Sequence, residues 1–92
     1  MKHAGPETLL ALHGLLSQLR LLPGLVEKRP GVFYAKSRAC VHFHEDPLGM
    51  FADVRLGGDA FDRFPVNTAA QQAAVLKAVS RAHGRLVDGP RQ

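Results

Sequence analysis

The feature that most restricts the fold is the segment ACVHFHEDPLGMFADVRL, residues 39–56, in which two alternating runs flank a short turn-like sequence. Apolar and polar side chains alternate in both runs, which is the period of a β-strand with one buried face. Parallel strands need a crossover of a dozen or more residues, and DPLG is far too short for one. The segment therefore predicts an antiparallel hairpin closed by a two-residue turn.

The register of this hairpin decides which side chains share a face of the sheet. When Phe43 lies opposite Ala52, the apolar residues of both strands face one side and His42 lies across from Asp53. A glycine bulge at Gly49 would slip the register by one residue and bury Asp53 without a partner, which costs several kcal/mol. We therefore predict the first register.

The predicted open face of the hairpin carries a polar patch. His42 and His44 are two residues apart on one strand, about 6–7 Å between their Cα atoms, so their rings can converge on one ion. Asp53 or Glu45 could supply an oxygen ligand, and two histidines with one carboxylate are a common ligand set for zinc and iron. The other three histidines are scattered along the chain. The candidate ligand or metal residues are His42, His44, Asp53 and Arg55.

Two further interpretations of the patch stay open beside the metal or small-ligand site. In one, Asp53 orients His42 as a general base and Cys40, on the same face, is the nucleophile; however, no glycine-rich elbow or helix N-terminus flanks Cys40 to lower its pKa. In the other, the cross-strand pairs are structural and the face is solvated or covered by a partner. We expect a binding or interaction protein rather than an enzyme, with no cofactor, and the alternative is a divalent metal such as zinc at the patch.

Helical periodicity precedes the strand-like region. Proline suits the first turn of a helix, and from Pro6 onward leucines recur at steps of three and four until Pro23–Gly24 ends the pattern. Leu10 and Leu21 widen this apolar surface, so a helix–helix dimer seam is the alternative to core packing. The predicted core stripe consists of Leu9, Leu12, Leu15, Leu16, Leu19 and Leu22.

A second helical pattern follows the strand-like region. Asn67 or Thr68 can cap this helix, and Thr68 with Gln71 has capping-box spacing. The helix is predicted to end at Gly84. The preceding DRFPVNT is typical of a helix entry, with Phe61 and Phe64 filling the space between sheet and helix. The predicted apolar side of the helix consists of Ala69, Ala73, Leu76, Val79 and Ala82.

A third strand-like run, VFYAK, comes just before the hairpin, and too few residues separate the three runs for helical crossovers. The predicted fold class is therefore α+β. We expect a two-layer sandwich in which an N-terminal helix and a C-terminal helix cover one face of a three-stranded antiparallel meander. The 92 residues make a single domain with its core at about residues 6–84, and residues 1–5 and 86–92 are predicted to be loose ends.

The charge balance permits several partners and specifies none. Twelve Lys and Arg residues against eight Asp and Glu give a formal net charge of +4, which suits nucleic acid, an acidic partner or simple solubility. A homodimer would form through the open sheet face or the leucine-rich helix. The candidates for weak nucleic-acid binding are Lys36, Arg38, Lys77 and Arg81.

Cysteine content and hydropathy bear on the compartment. A single cysteine, Cys40, excludes an internal disulfide and favours a reducing environment. No apolar run reaches the ~18 residues that a membrane span needs, and the leucine-rich start lacks the cleavage site of a signal peptide. We therefore expect a cytoplasmic protein that makes no membrane contact.

The stretch LLPGLVEKRPGVFYAKSRACVHFHEDPLGMFADVRL resembles the small bacterial luciferase-domain proteins over about residues 19–56. The family pattern is an N-terminal helix, a PGV-like entry, an H-x-H strand and a D-x-R strand. The resemblance implies the same fold and no light-emitting chemistry. It places the H-x-H and D-x-R positions of the family pattern at His42, His44, Asp53 and Arg55. This chain lacks the Trp-containing segment that the family has before its last helix. A looser likeness to YjbR-type α+β domains, which are sometimes suspected of DNA binding, concerns the order of strands and helices.

Overall fold

The computed structural model describes residues 2–84, which form an α+β fold on one antiparallel sheet and so confirm the predicted class. The predicted loose end at residues 86–92 lies outside this range. In chain order the elements are β1 (Lys2–His3), α1 (Pro6–Ala11), α2 (His13–Arg20), β2 (Val26–Arg29), β3 (Val32–Ala35), β4 (Arg38–Asp46), β5 (Gly49–Val54), β6 (Asp62–Pro65) and α3 (Ala69–Val79), followed by a π-helical turn at Ser80–Gly84.

The sheet has six strands within the described residues, so the predicted number of three is wrong. Strands β2 to β6 lie side by side in chain order. Strands β1 and β3 pair with the same edge of β4. Strand β3 pairs with the first half of β4 and β1 with the second half. The unpredicted strands β1, β2 and β6 are two to four residues long and largely exposed, so no sustained alternation of apolar residues marks them. Strand β6 occupies part of the segment predicted as a helix entry.

The β4–β5 hairpin has the predicted register, with Phe43 opposite Ala52 and His42 opposite Asp53. Phe43 and Ala52 belong to the hydrophobic core and are at most 3% exposed. Because side chains alternate between the two faces of a strand, His42 and Asp53 lie on the face that points away from the core. The hydrophobic pattern and the penalty for burying a carboxylate in the core therefore fix this register.

The turn between β4 and β5 is locked by two side chains. The backbone N–H of Leu48 donates to Asp46 Oδ1 over 2.8 Å, and the N–H of Met50 donates to Asn67 Oδ1 over the same distance. Gly49 has a φ of 141°, and a Cβ at this position would come within 2.6 Å of Asn67 Oδ1. Glycine is therefore required where the turn meets the segment before α3.

A bulge interrupts the pairing of β3 with β4. Tyr34 pairs with Ala39 and Phe33 pairs with Val41, which leaves Cys40 without a partner on β3. Cys40 is 1% exposed and packs in the core. The prediction that Cys40 shares the open face with the two histidines of β4 is therefore wrong, because the bulge re-aims its side chain.

Four of the six leucines in the predicted N-terminal stripe are buried, and Leu9 and Leu22 are partly buried against the same core. The segment forms two short helices instead of one. Leu12 separates them, and its N–H is shared between the carbonyl oxygens of Thr8 and Leu9 at 3.0 and 3.2 Å. Leu10 and Leu21 lie off the stripe and are each 75% exposed. The members of the stripe that are at most 4% exposed are Leu12, Leu15, Leu16 and Leu19.

Helix α3 begins with the predicted capping box, in which Thr68 Oγ1 accepts from the N–H of Gln71 and Gln71 Oε1 accepts from the N–H of Thr68. Its predicted apolar side is wrong in part, because Ala69 and Ala73 are exposed. A valine offers more apolar surface than an alanine, so the helix turns its valines inward. The fully buried residues of α3 are Val75 and Val79.

One hydrophobic core joins the helices to strands β3, β4 and β5. Phe33 is the largest side chain that is fully buried in it. Phe64 of β6 packs against this core as predicted, whereas Phe61 contacts the ring of His42 on the other side of the sheet. Within residues 2–84, no helix has the length and apolar character needed to cross a membrane.

Candidate metal centre

Two rows of side chains cross the open face of the sheet. In the first row, strand pairing places His3 of β1 beside His44 of β4. In the second row, His42 of β4 lies beside Asp53 of β5, which lies beside Arg63 of β6. Opposite residues of antiparallel strands have Cβ atoms about 4.5–5.5 Å apart on the same face. The sheet therefore gathers three histidines and an oppositely charged pair.

The histidine cluster consists of His3, His42 and His44. The rings of His3 and His44 stack with centroids 4.8 Å apart and an interplanar angle of 28°. The ring of His42 meets that of His44 nearly edge-on, also at 4.8 Å, and His42 Nδ1 lies 2.8 Å from His44 Nε2. One ring nitrogen of each histidine lies within 4.8 Å of one nitrogen of each of the other two. Three imidazole ligands are thus within reach of a single ion.

Asp53 borders the histidine cluster and is only 7% exposed. Arg63 donates to both of its carboxylate oxygens, from Nε to Oδ1 over 2.7 Å and from Nη2 to Oδ2 over 2.8 Å. His44 Nε2 lies 3.2 Å from Oδ2. The hydrogen bonds from Arg63 are the main cause that lowers the pKa of Asp53, and they outweigh the opposing effect of burial. Asp53 is therefore anionic at neutral pH.

Burial favours the neutral form of His42. Its ring packs edge-on against Phe61, with centroids 4.8 Å apart. Desolvation is the main cause that lowers the pKa of His42, and the neighbouring His44 adds to the effect while Asp53 opposes it. Neutral imidazole is the form that binds metal ions, so His42 is suited to be a ligand at neutral pH.

His44 uses its two ring nitrogens differently. Nε2 contacts both Asp53 and His42, whereas Nδ1 is buried and has no hydrogen-bond partner within the described part of the chain. A buried polar atom left without a partner costs about 1–3 kcal/mol. His44 Nδ1 is therefore an atom at which a ligand would be stabilising.

Strand β1 positions His3, and it is held by contacts on both sides of that residue. After His3, the N–H of Ala4 donates to the carbonyl oxygen of Phe43 over 3.0 Å, and the N–H of Gly5 donates to Glu45 Oε1 over 2.9 Å. A hydrogen bond with Thr8 is the main cause that lowers the pKa of Glu45. Glu45, a possible oxygen ligand in the sequence-based prediction, instead ties β1 to the start of α1.

Arg55 lies outside the histidine cluster, although the sequence grouped it with His42, His44 and Asp53. Its guanidinium stacks 4.3 Å from the centroid of the Phe61 ring. Arg55 Nε donates to the carbonyl oxygen of Ala39 over 2.9 Å, and Nη1 donates to that of Asp59 over 2.8 Å. The ring of Phe61 also contacts His42, so Arg55 borders the site through Phe61.

The four basic residues predicted as nucleic-acid candidates lie on different elements. Lys36 is in the β3–β4 turn, and Arg38 begins β4 and donates to Asp59 Oδ1 over 2.9 Å. Lys77 belongs to α3 and Arg81 to the π-helical turn. Lys36 and Arg38 line the same cavity. Nucleic-acid binding by these residues stays a prediction.

His3, Arg63 and Phe61 were not predicted as site residues. His3 meets His44 only through the pairing of β1 with β4, and a strand of two residues is too short to show alternation. Arg63 falls in the segment predicted as a helix entry, and Phe61 lies just before that segment. The available signal there is the alternation of Arg63 with Phe64, followed by a proline that suits an edge strand.

Comparisons with known proteins give no relative from which a role could be transferred. No protein-family model matches the chain, and no curated protein or solved structure is significantly similar to it. The resemblances to luciferase-domain proteins and to YjbR-type domains therefore stay predictions. Function has to be inferred from the geometry and chemistry of the side chains themselves.

Proposed function

We propose that this protein binds a divalent transition-metal ion, with zinc as the reference case, through His3, His42 and His44. The observation that carries the proposal is the convergence of three imidazoles within 4.8 Å of one another. Imidazole is a preferred ligand of zinc, copper, iron and nickel. Three protein ligands leave a fourth position of a tetrahedral zinc ion open to water or a small ligand. The proposed role is metal binding, and no reaction is attached to it.

Modest ring rotations would complete the coordination geometry. Zinc–nitrogen distances of about 2.0–2.1 Å place the nitrogens of a tetrahedral site about 3.3 Å from one another. The three ligand nitrogens all lie within 4.8 Å of one another, so the rings have to close gaps of at most about 1.5 Å. His3 is exposed on the two-residue strand β1, so its ring has the most freedom to move.

Asp53 and Arg63 would be positioning residues that hold the metal ligand His44 in place. A histidine that binds a metal usually donates its other ring N–H to a carboxylate, which fixes the tautomer and raises the basicity of the ligand. Asp53 Oδ2 lies where it would accept from His44 Nε2, which leaves the unpartnered Nδ1 for the metal. Arg63 in turn fixes the orientation of the Asp53 carboxylate with two hydrogen bonds.

Zinc titration of the full chain, followed by histidine ring NMR signals and by calorimetry, tests the proposal. Zinc is expected to shift the ring signals of the histidine cluster together and to bind in a 1:1 ratio. His3→Ala removes one ligand at an exposed position and should weaken zinc binding at least about tenfold. His13→Ala is the matched control, because His13 is an exposed histidine at the start of α2.

Three outcomes would count against a metal site. The first is the absence of any change below millimolar zinc. The second is a set of shifts spread equally over all five histidines of the chain. The third is an equal loss of affinity in His3→Ala and His13→Ala. Each would leave the histidine cluster as a hydrogen-bonded network that stabilises the open face of the sheet.

A further inference from the structure

A cavity with a volume of about 170 Å³ opens near the start of β4 and shares no lining residue with the histidine cluster. It is bounded by the β3–β4 turn, by Arg55 and the two glycines that follow Leu56, and by the π-helical turn after α3. At about 30 Å³ per water molecule, this volume corresponds to about six waters. The cavity is therefore the right size for a small organic molecule.

The inner wall of this cavity is apolar. Ala35 and Cys40 line it, and the bulge in β4 is what turns the Cys40 side chain inward. Burial raises the pKa of Cys40 to about 11, so the thiol is neutral at pH 7. A neutral buried thiol behaves as a small apolar group. This wall favours a hydrocarbon segment over water.

The rim of the cavity is cationic. Its charged residues are Lys36, Arg38 and Arg55. Arg55 makes its hydrogen bonds to backbone carbonyl groups of Ala39 and Asp59, which carry no charge to neutralise it. The Asp59 carboxylate pairs with Arg38, but this carboxylate is 95% exposed. An exposed pair of this kind contributes about 0–1 kcal/mol, so a ligand carboxylate can replace Asp59 at Arg38.

The backbone around the cavity is held in uncommon conformations. Lys36 and Ser37 have φ values of 54° and 72°, the left-handed pair of a type I′ turn, which asparagine and glycine adopt far more readily. The π-helical turn brings His83 Nε2 into a hydrogen bond with the carbonyl oxygen of Arg55. Strained turns and π-helical turns are both concentrated at functional sites. Here both border the same cavity.

We infer that this cavity binds a short-chain carboxylate, with its alkyl group against Ala35 and Cys40 and its carboxylate facing Lys36 and Arg38. The cationic rim selects the anionic group, and the apolar wall selects the alkyl chain. Inorganic phosphate would satisfy the rim but leave the wall without a partner. This inference is independent of the metal proposal, because no residue is common to the two sites.

Butyrate titration of the full chain, at constant ionic strength and with a chelator present, tests this inference. Backbone amide NMR signals of Gly57 and Gly58 should shift saturably, with a Kd on the order of millimolar. Butyramide, the neutral analogue, and inorganic phosphate should each bind at least about tenfold more weakly, a difference of about 1.4 kcal/mol.

Charge-removing variants locate the carboxylate. Lys36→Gln and Arg38→Gln should each weaken butyrate binding about threefold or more, since each removes a cation from the rim. Lys77→Gln, at an exposed lysine of α3, is the matched control and should leave the affinity unchanged. Phosphate or butyramide binding as tightly as butyrate would overturn the inference. So would unshifted Gly57 and Gly58 signals at about 50 mM butyrate, or an equal effect of Lys77→Gln.

Discussion

Asp53 is a buried carboxylate on the open face of the sheet, where it accepts two hydrogen bonds from Arg63 and contacts His44. Asp53→Asn keeps the shape of the side chain and removes its charge. Hydrogen bonds to charged groups contribute about 1.5–3 kcal/mol each, so the free energy of unfolding should fall by about 2 kcal/mol or more. Urea denaturation at pH 7 measures this change. Asp62→Asn, at an exposed carboxylate of β6, should change it by less than about 0.5 kcal/mol.

The pH dependence of this contribution has a definite sign. The pKa of Asp53 is lower in the folded protein than its ordinary value, mainly because of the hydrogen bonds from Arg63. The stabilisation is therefore present above the unfolded-state pKa of about 4 and is lost as the pH falls through the folded-state pKa. The stabilities of the wild type and Asp53→Asn should converge below about pH 4. A stability difference between the two proteins that stays constant down to about pH 2 would show that the Asp53–Arg63 ion pair is not its source.

At the scale of residues, the sequence predicted those site residues that lie within one local pattern, the alternation of the β4–β5 hairpin. His42, His44 and Asp53 follow from the alternation of β4 and β5, once the cost of burying a carboxylate has selected the register. Their neighbours His3 and Arg63 come from edge strands that are distant along the chain. Pairing of such strands is decided by tertiary contacts, which a local pattern does not contain.

At the scale of elements, β1 is the smallest strand and the one that brings His3 to the metal centre. Ala4→Pro removes the N–H that donates to the carbonyl oxygen of Phe43, so β1 should detach from β4. Loss of one ligand from the histidine cluster should then weaken zinc binding about tenfold or more, while the rest of the sheet stays folded. Calorimetry gives the affinity, and the dispersion of backbone amide NMR signals reports on the fold.

Lys2→Ala is the control for this change, because it removes only an exposed ion pair at 3.7 Å from Glu45. Such pairs contribute little, so zinc affinity should stay within about twofold of the wild type. Wild-type zinc affinity in a folded Ala4→Pro variant would show that the pairing of β1 is not needed to hold the ligand. An equally large loss in Lys2→Ala would point to the charge of β1 instead of the position of His3.

The elements that the sequence predicted are those with a pattern of their own. The leucine stripe of α1 and α2, the capping box of α3 and the β4–β5 hairpin each span several residues with one consistent period or spacing. The prediction of the apolar side of α3 was wrong in part because alanine is found almost equally well in the core or on the surface. The many alanines of α3 therefore do not mark its buried face. The break at Leu12 and the bulge at Cys40 each depend on packing between elements.

At the scale of the whole molecule, both candidate sites are attached to one strand. The histidine cluster takes two of its members from β4, and the cavity takes Arg38 and Cys40 from its beginning. The packing of β4 on the core therefore supports both sites. In that core Phe33 of β3 lies opposite Val41, and both are fully buried. A domain of 92 residues has a stability on the order of 5–14 kcal/mol, so a single core position carries much of it.

Phe33→Ala should therefore be among the most damaging single changes in this domain, with a loss of about 3–5 kcal/mol in the free energy of unfolding, because it leaves a cavity beneath β4. Phe33→Leu retains most of the apolar volume and should cost less than about 1.5 kcal/mol. Leu48→Ala removes a leucine that is 86% exposed and should cost less than about 0.5 kcal/mol. Urea denaturation of the three variants measures the order of these losses. Equal losses in Phe33→Ala and Leu48→Ala would mean that Phe33 does not anchor the core, and β4 would then have to be held by its backbone pairing alone.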